Sequence, residues 1–278
     1  MARDDCRSAP RRRGRALATE ISQGAVFPAP DAFCTFGAVG GKFGATALAL
    51  GAVIAVLVAG STAAYGGSRG VRTPSTPIYR VATHERLVAL TFDDGPDPRW
   101  TPTVLDLLAR YQAHATFFDV GRRAVGNPDL VARELAAGHE VGDHTWSHPH
   151  LPRLSSPSAA TEIAAGKTAL SSLTAQEMRL FRPPYGQTTS AINAVAAKQG
   201  MRTVLWDACL EHFVRRDGVP QGVRELIADI RPGSIILAHD GGIPNRARTL
   251  TALPALLRGL AAAHYRVVTI GELLRSAS

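Results

Sequence analysis

From Ile78 onward the chain alternates between two hydrophobic patterns. Short apolar β-like runs occupy residues 87–92, 115–120, 140–142, 180–182, 203–206, 234–238 and 266–269. Between them, at 101–111, 128–137, 156–173, 190–199, 223–230 and 250–263, apolar residues return every third or fourth position. The runs predict buried strands and the spaced stretches predict amphipathic helices. Pro102, Pro128 and Pro157 stand where helices begin, and Gly138 and Gly200 where they end. Strict strand–helix alternation implies parallel strands joined by right-handed crossovers. About seven such units predict an α/β fold with a barrel-like closed sheet, whose chemistry collects at the C-terminal ends of the strands. Asp93, Asp94, His144, Arg182, Asp207 and His239 all fall at or just after such an end.

Upstream the pattern changes. Residues 43–68 carry no charge, and 45–59 are continuously apolar or small. A membrane-spanning helix needs roughly 20 such residues. Basic residues precede the run, which by the positive-inside rule leaves the N-terminus in the cytoplasm and the remainder outside. Residues 1–42 are therefore expected to be a basic extension without a fold, 43–65 a signal-anchor or cleaved signal, 66–77 a linker and 78–278 the catalytic domain. Small residues at 61–64 offer cleavage sites. The expected location is extracytoplasmic, either membrane-anchored or secreted.

Composition adds bounds. The chain of 278 residues has a net charge of +8, carried almost wholly by arginine, since only Lys42, Lys167 and Lys198 are lysines. That balance favours anionic polymers such as cell-wall glycans. The globular part has no basic stripe with interleaved aromatics, which argues against nucleic acid. Of the three cysteines, only Cys209 lies in the globular part, so no disulfide can form within it.

The chemistry concentrates in two segments, Thr-Phe-Asp93-Asp94-Gly-Pro-Asp97 and His144-Thr-Trp-Ser-His148. At a strand end that turns into Gly95-Pro96, both carboxylates can reach one pocket, one binding a metal and the other staying free as a base. Histidines four apart share a face on a helical turn. One carboxylate and two imidazoles leave positions open for water and substrate, the mark of a catalytic site. Zinc is the default ion, and cobalt, nickel or manganese could replace it. His139 and His150, which flank the pair, are expected at the surface or behind the ligands.

TFDDGPD, HTWSH, RPPYG and IILAHD, in this order, resemble the motifs of the NodB-homology polysaccharide deacetylases, carbohydrate esterase family four. The similarity spans about residues 87–274. It implies a distorted (β/α) barrel and metal-dependent removal of acetyl groups from a glycan such as peptidoglycan or a chitin-like polymer. Carried over position by position, it makes Asp93 the catalytic base and Asp94, His144 and His148 the metal ligands. It makes Arg182 the partner that orients the base, and Tyr185 the donor of a backbone N–H to the oxyanion. Leu237 then lines the acetyl pocket and His239 is the general acid.

One segment departs from that pattern. The family shows an aspartate–tryptophan pair after the fifth strand; here His212 and Phe213 stand at those places, beside Trp206. Trp206 and Phe213 are expected to wall the groove, and Asp207 or Glu211 to replace the missing carboxylate beside His239. Asp143 stands where the family has asparagine and is expected to add negative charge near the metal. An O-acetyl esterase of the xylan type would use the same residues. A non-catalytic glycan-binding relative with an altered site is the rival from a different class.

Overall fold

A computed structural model describes residues 73–243 and 246–278. The segments 1–42 and 43–65, and most of the 66–77 linker, lie outside the described residues. Among the described residues no helix is long and apolar enough to cross a membrane.

Strand β1 (Leu87–Asp93) is buried along its whole length and forms the centre of the sheet. Successive side chains on a strand point to opposite faces, and β1 divides accordingly. Val88, Leu90 and Phe92 join an outer cluster, and Leu87 and Ala89 an inner one. The other strands are β2 (Thr116–Asp119), β3 (Glu140–Asp143), β4 (Leu180–Phe181), β5 (Arg202–Thr203), β6 (Ala208–Cys209), β7 (Ile235–His239) and β8 (Arg266–Val268). All the ladders are parallel, in the order β5-β4-β3-β2-β1-β7-β6, and β8 pairs with the start of β1. Ile78 bridges to Val204, and Arg80 to Ser234, across the gap between the two ends of the sheet. The result is a curled half-barrel, in agreement with the expected barrel-like fold.

The helices are α1 (Thr101–Arg110), α2 (Gly121–Gly126), α3 (Pro128–Ala136), α4 (Ser156–Thr174), α5 (Ser190–Lys198), α6 (Leu210–Asp229), α7 (Ala247–Ala262) and α8 (Ile270–Arg275). Ser155, Thr189 and Thr269 cap α4, α5 and α8 by accepting N–H bonds from the first turn. The outer cluster fills the space between the sheet and α1, α6 and α7.

Three features depart from the sequence expectation. Strand β6 is only two residues long and, among the described residues, forms its ladder solely with β7, too short to carry a periodic signal. Helices α2 and α8 are single short segments of the same kind. Helix α6 begins at Leu210 rather than near 223, and is broken at Gly218 (φ 75°, ψ 169°) just before Pro220. Its first half, Glu-His-Phe-Val-Arg-Arg-Asp, is too polar to show a clear apolar stripe.

Candidate active site

The inner face of the barrel is apolar in its lower layers. Ile235 and Leu237 of β7 belong to it, together with Phe118, Leu180, Leu205 and Trp206. By the same alternation, the next inward positions are Asp93 on β1, His239 on β7 and Arg182 just beyond β4. Asp93 and His239 are register partners on adjacent strands. Polar chemistry therefore sits as the top layer of an apolar barrel, at the C-terminal ends of the strands.

Asp93 is buried and its Oδ1 accepts a hydrogen bond from Arg182 Nη1 at 2.7 Å. Arg182 is fully buried and fully engaged. It donates to Thr91 Oγ1 at 2.7 Å, to the carbonyl of Val204 at 3.2 Å and to that of Leu205 at 3.1 Å. Its guanidinium lies 4.1 Å above the Phe118 ring and 5.5 Å from that of Trp206. Burial raises the Asp93 carboxyl above its ordinary range, and the Arg182 charge opposes that rise. The outcome is a desolvated carboxylate held in one orientation, as a general base requires.

Asp94 follows at φ 73°, a left-handed backbone that swings its carboxylate to the same side as Asp93. Its Oδ1 lies 3.0 Å from His148 Nε2 and 3.7 Å from His144 Nε2. The donor atoms of Asp94, His144 and His148 all lie within 4.8 Å of one another. Burial alone would raise the Asp94 carboxyl, but the His148 bond and the neighbouring histidines hold it well below the usual carboxylate range. His144 Nδ1 lies 2.7 Å from the carbonyl of Arg182, which places the proton there and turns Nε2 into the site. Burial pushes His144 down to about 3, so its ring is neutral and its lone pair available. One carboxylate oxygen and two imidazole nitrogens, buried and convergent, fit a divalent transition metal.

The two histidines do not share a helical turn, as their spacing suggested. They sit on a loop after β3 in which Thr145 (φ 68°) and His148 (φ 63°) are left-handed. The His148 amide donates to Thr145 Oγ1 at 3.1 Å, and the rings come to 4.9 Å between centroids. A β-branched residue at positive φ is a strained conformation. Ser147 helps hold the loop by donating to Glu162 of α4 from both its amide and its hydroxyl, each at 2.9 Å.

His239 ends β7. Its amide donates to Glu211 Oε1 at 3.0 Å, and its Nδ1 lies 3.4 Å from the same oxygen. Glu211 also accepts from Thr249 Oγ1 at 2.8 Å. Asp207 does not reach His239. Its carboxylate takes Ser234 Oγ at 2.9 Å and the Ile235 amide at 2.8 Å, tying down the start of β7 instead. The unforeseen α6 turn explains the exchange, since it carries Glu211 inward just after β6.

The remaining expected residues are placed as follows. Leu237 is fully buried one inward position below His239. Trp206 is buried among the inner cluster. Phe213 packs instead against the outer cluster shared by α6 and α7, with Arg216 over its ring. Tyr185 has a left-handed backbone (φ 61°); its ring meets His148 at 4.6 Å and stacks on His150 at 3.8 Å. His139 is not a surface group. It is buried beside Phe117 and its Nδ1 accepts from the Ala115 amide at 3.2 Å. Asp143 is buried directly before His144. Its Oδ1 turns to the Thr145 amide at 2.9 Å and to Gly166 of α4, and burial raises its carboxyl well above the ordinary range.

Arg246 and Arg123 were not foreseen. Arg246 donates to Asp94 Oδ2 at 3.0 Å, and Arg123 to the carbonyl of Asp94. The Gly241-Gly242 pair after His239-Asp240 was the available signal, because glycines beside a site permit close backbone approach.

A family model described as polysaccharide deacetylase matches residues 80–204. A peptidoglycan-N-acetylglucosamine deacetylase from Bacillus cereus is 41% identical over 201 residues, which cover 71% of this chain and 92% of that protein. Among solved structures, a mutant carbohydrate esterase family four pseudoenzyme with restored enzymatic activity has a TM-score of 0.67 at 28% identity, covering 73% of each chain. A peptidoglycan N-acetylglucosamine deacetylase in complex with 4-naphthalen-1-yl-N-oxidanyl-benzamide has a TM-score of 0.67 at 28% identity, covering 72% of this chain and 93% of that one.

Proposed function

The chain belongs to the polysaccharide deacetylase family, and from that premise we propose that it is a metal-dependent N-deacetylase of an extracytoplasmic N-acetylhexosamine polymer, peptidoglycan before chitin-like oligomers. The observation that carries this reading is the placement of Asp93 and His239 as register partners side by side on one rim, with Asp94, His144 and His148 convergent beside them. The Bacillus cereus relative supports the peptidoglycan substrate. The N-oxidanyl-benzamide of the solved relative is a two-oxygen chelating group, which supports the metal. The uncharged run at 43–68 supports the location.

A divalent ion held by Asp94, His144 and His148 would polarise the acetyl carbonyl and acidify water, zinc being the first choice for this donor set. The protein's own residues then divide the proton traffic. Asp93, held by Arg182, accepts a proton from the attacking water. The backbone N–H of Tyr185 is assigned to the developing oxyanion, an interaction typically worth roughly 3–4 kcal/mol. His239, with Glu211 behind it, returns a proton to the departing sugar nitrogen. An amide needs that last transfer, because an amine anion is too poor a leaving group.

The test is acetate release from N-acetylated glycan oligomers and from O-acetylated xylan, with and without added metal. Release from the first supports the proposal. Release from xylan alone would assign an O-acetyl esterase, and binding without release a glycan-binding protein.

A further inference from the structure

Asp94 uses its two carboxylate oxygens differently. Oδ1 faces both histidines, whereas Oδ2 receives Arg246 Nη2 at 3.0 Å. Arg246 is buried, and its Nε donates to the carbonyl of Gly241 at 2.5 Å. Gly241 and Gly242 are themselves fitted to Asp94. A Cβ on Gly242, itself at φ 84°, would lie 2.1 Å from Oδ2, and one on Gly241 would lie 2.1 Å from the Asp94 carbonyl. Arg246 also immediately precedes α7, whose first turn supplies Thr249, the hydroxyl donor to Glu211 behind His239. One helix start therefore reaches both the ligand carboxylate and the carboxylate behind the acid.

We propose that Arg246 is a positioning residue that occupies Asp94 Oδ2 and restricts this carboxylate to single-oxygen ligation of the ion at Asp94, His144 and His148. The proposal rests on the metal-dependent reading above. Two effects of the guanidinium compete. Its positive charge opposes a nearby cation, while its two-point hold on Oδ2 and Gly241 keeps the carboxylate aimed. Loss of a group that orients a ligand typically weakens metal binding 10–100-fold. The guanidinium charge is already paired with Oδ2, so the orienting effect dominates.

The experiment measures the Zn²⁺ dissociation constant of the parent, Arg246→Met and Arg246→Lys by competition with a chromophoric chelator, after circular dichroism of the metal-free proteins. The expected result is binding 10–100-fold weaker in Arg246→Met, with partial recovery in Arg246→Lys, which restores one donor but not the fork. Equal or tighter binding by a folded Arg246→Met overturns the proposal. If that variant does not fold, Arg246→Lys decides: weakening supports the proposal and unchanged affinity overturns it. A parent that binds no Zn²⁺ overturns the metal-dependent reading itself, a result distinct from a parent and variant that bind alike.

Discussion

Glu211 Oε1 lies 3.4 Å from Nδ1 of His239 and accepts the backbone amide of the same histidine at 3.0 Å. Burial alone would raise the Glu211 carboxyl. The charge of His239, its bond, Arg246 and Thr249 outweigh that and hold Glu211 below its ordinary range, so it is a carboxylate at working pH. An anion at this distance favours the protonated imidazole. Glu211→Gln is therefore expected to move the alkaline limb of the kcat/KM profile downward, because His239 then loses its proton at lower pH. Amide substrates should suffer more than activated esters. Asp207→Asn should leave the limb in place, as its carboxylate serves Ser234 and Ile235. A limb that moves with Asp207→Asn and not with Glu211→Gln would reverse the assignment.

Asp93→Asn keeps the size and polarity of the side chain and can still meet Arg182 through its carbonyl oxygen, but its amide cannot take a proton. Metal content should remain at the parent level while turnover falls on the order of 10²–10⁴-fold. Metal analysis and acetate release on the same preparation check both halves. Near-parent turnover would mean that no separate base is needed.

Much of this site was legible in the sequence because its residues occupy the ends of strands with strong apolar patterns. Asp93, Arg182 and His239 share the inward parity of Leu237 and Ala89, which alternation alone reports. What escaped depends on tertiary approach. Arg246 reaches Asp94 across 152 positions of chain, and beyond the nearby Gly241-Gly242 pair nothing local distinguishes it from any other arginine. Glu211 and Asp207 stood as equal candidates, since choosing between them required the α6 turn that Gly218 and Pro220 obscure. The His144–His148 loop was misjudged because the spacing also suits a helix, and only the left-handed Thr145 and His148 exclude one.

Removal of metal tests the ligand set directly. Dialysis against a chelator should abolish acetate release, and Zn²⁺, Co²⁺, Ni²⁺ or Mn²⁺ should restore it to differing extents. Asp94→Ala should not be restored by any of them at micromolar concentration, because Oδ1 is the one anionic donor among the three ligands. Undiminished release after chelation, with metal shown to be absent, would remove the metal from the mechanism.

Behind the site, Asp119 of β2, Glu134 of α3 and Asp240 are fully buried together. Neither carboxylate oxygen of Asp119 nor of Glu134 meets a hydrogen-bond donor among the described residues, and the two carboxyls lie close enough to share a proton. Burial first, and then the charge of Asp240, pushes Asp119 up to about 8, and burial raises Glu134 well above its ordinary range. A carboxyl with a raised folded-state pKa stabilises the protein fully at low pH, and that contribution is lost as pH climbs toward the folded value. Asp119→Asn removes this dependence. Its melting temperature relative to the parent should rise progressively between about pH 5 and pH 8.5, by at most about 1.4 kcal/mol of stability per pH unit. The comparison has to be a difference between variant and parent. Buried His139, pushed down to about 4 mainly by desolvation, adds an opposite trend below its ordinary range in both proteins. A variant-minus-parent difference that stays flat across that range would show that Asp119 is ionised throughout, held by something other than a shared proton.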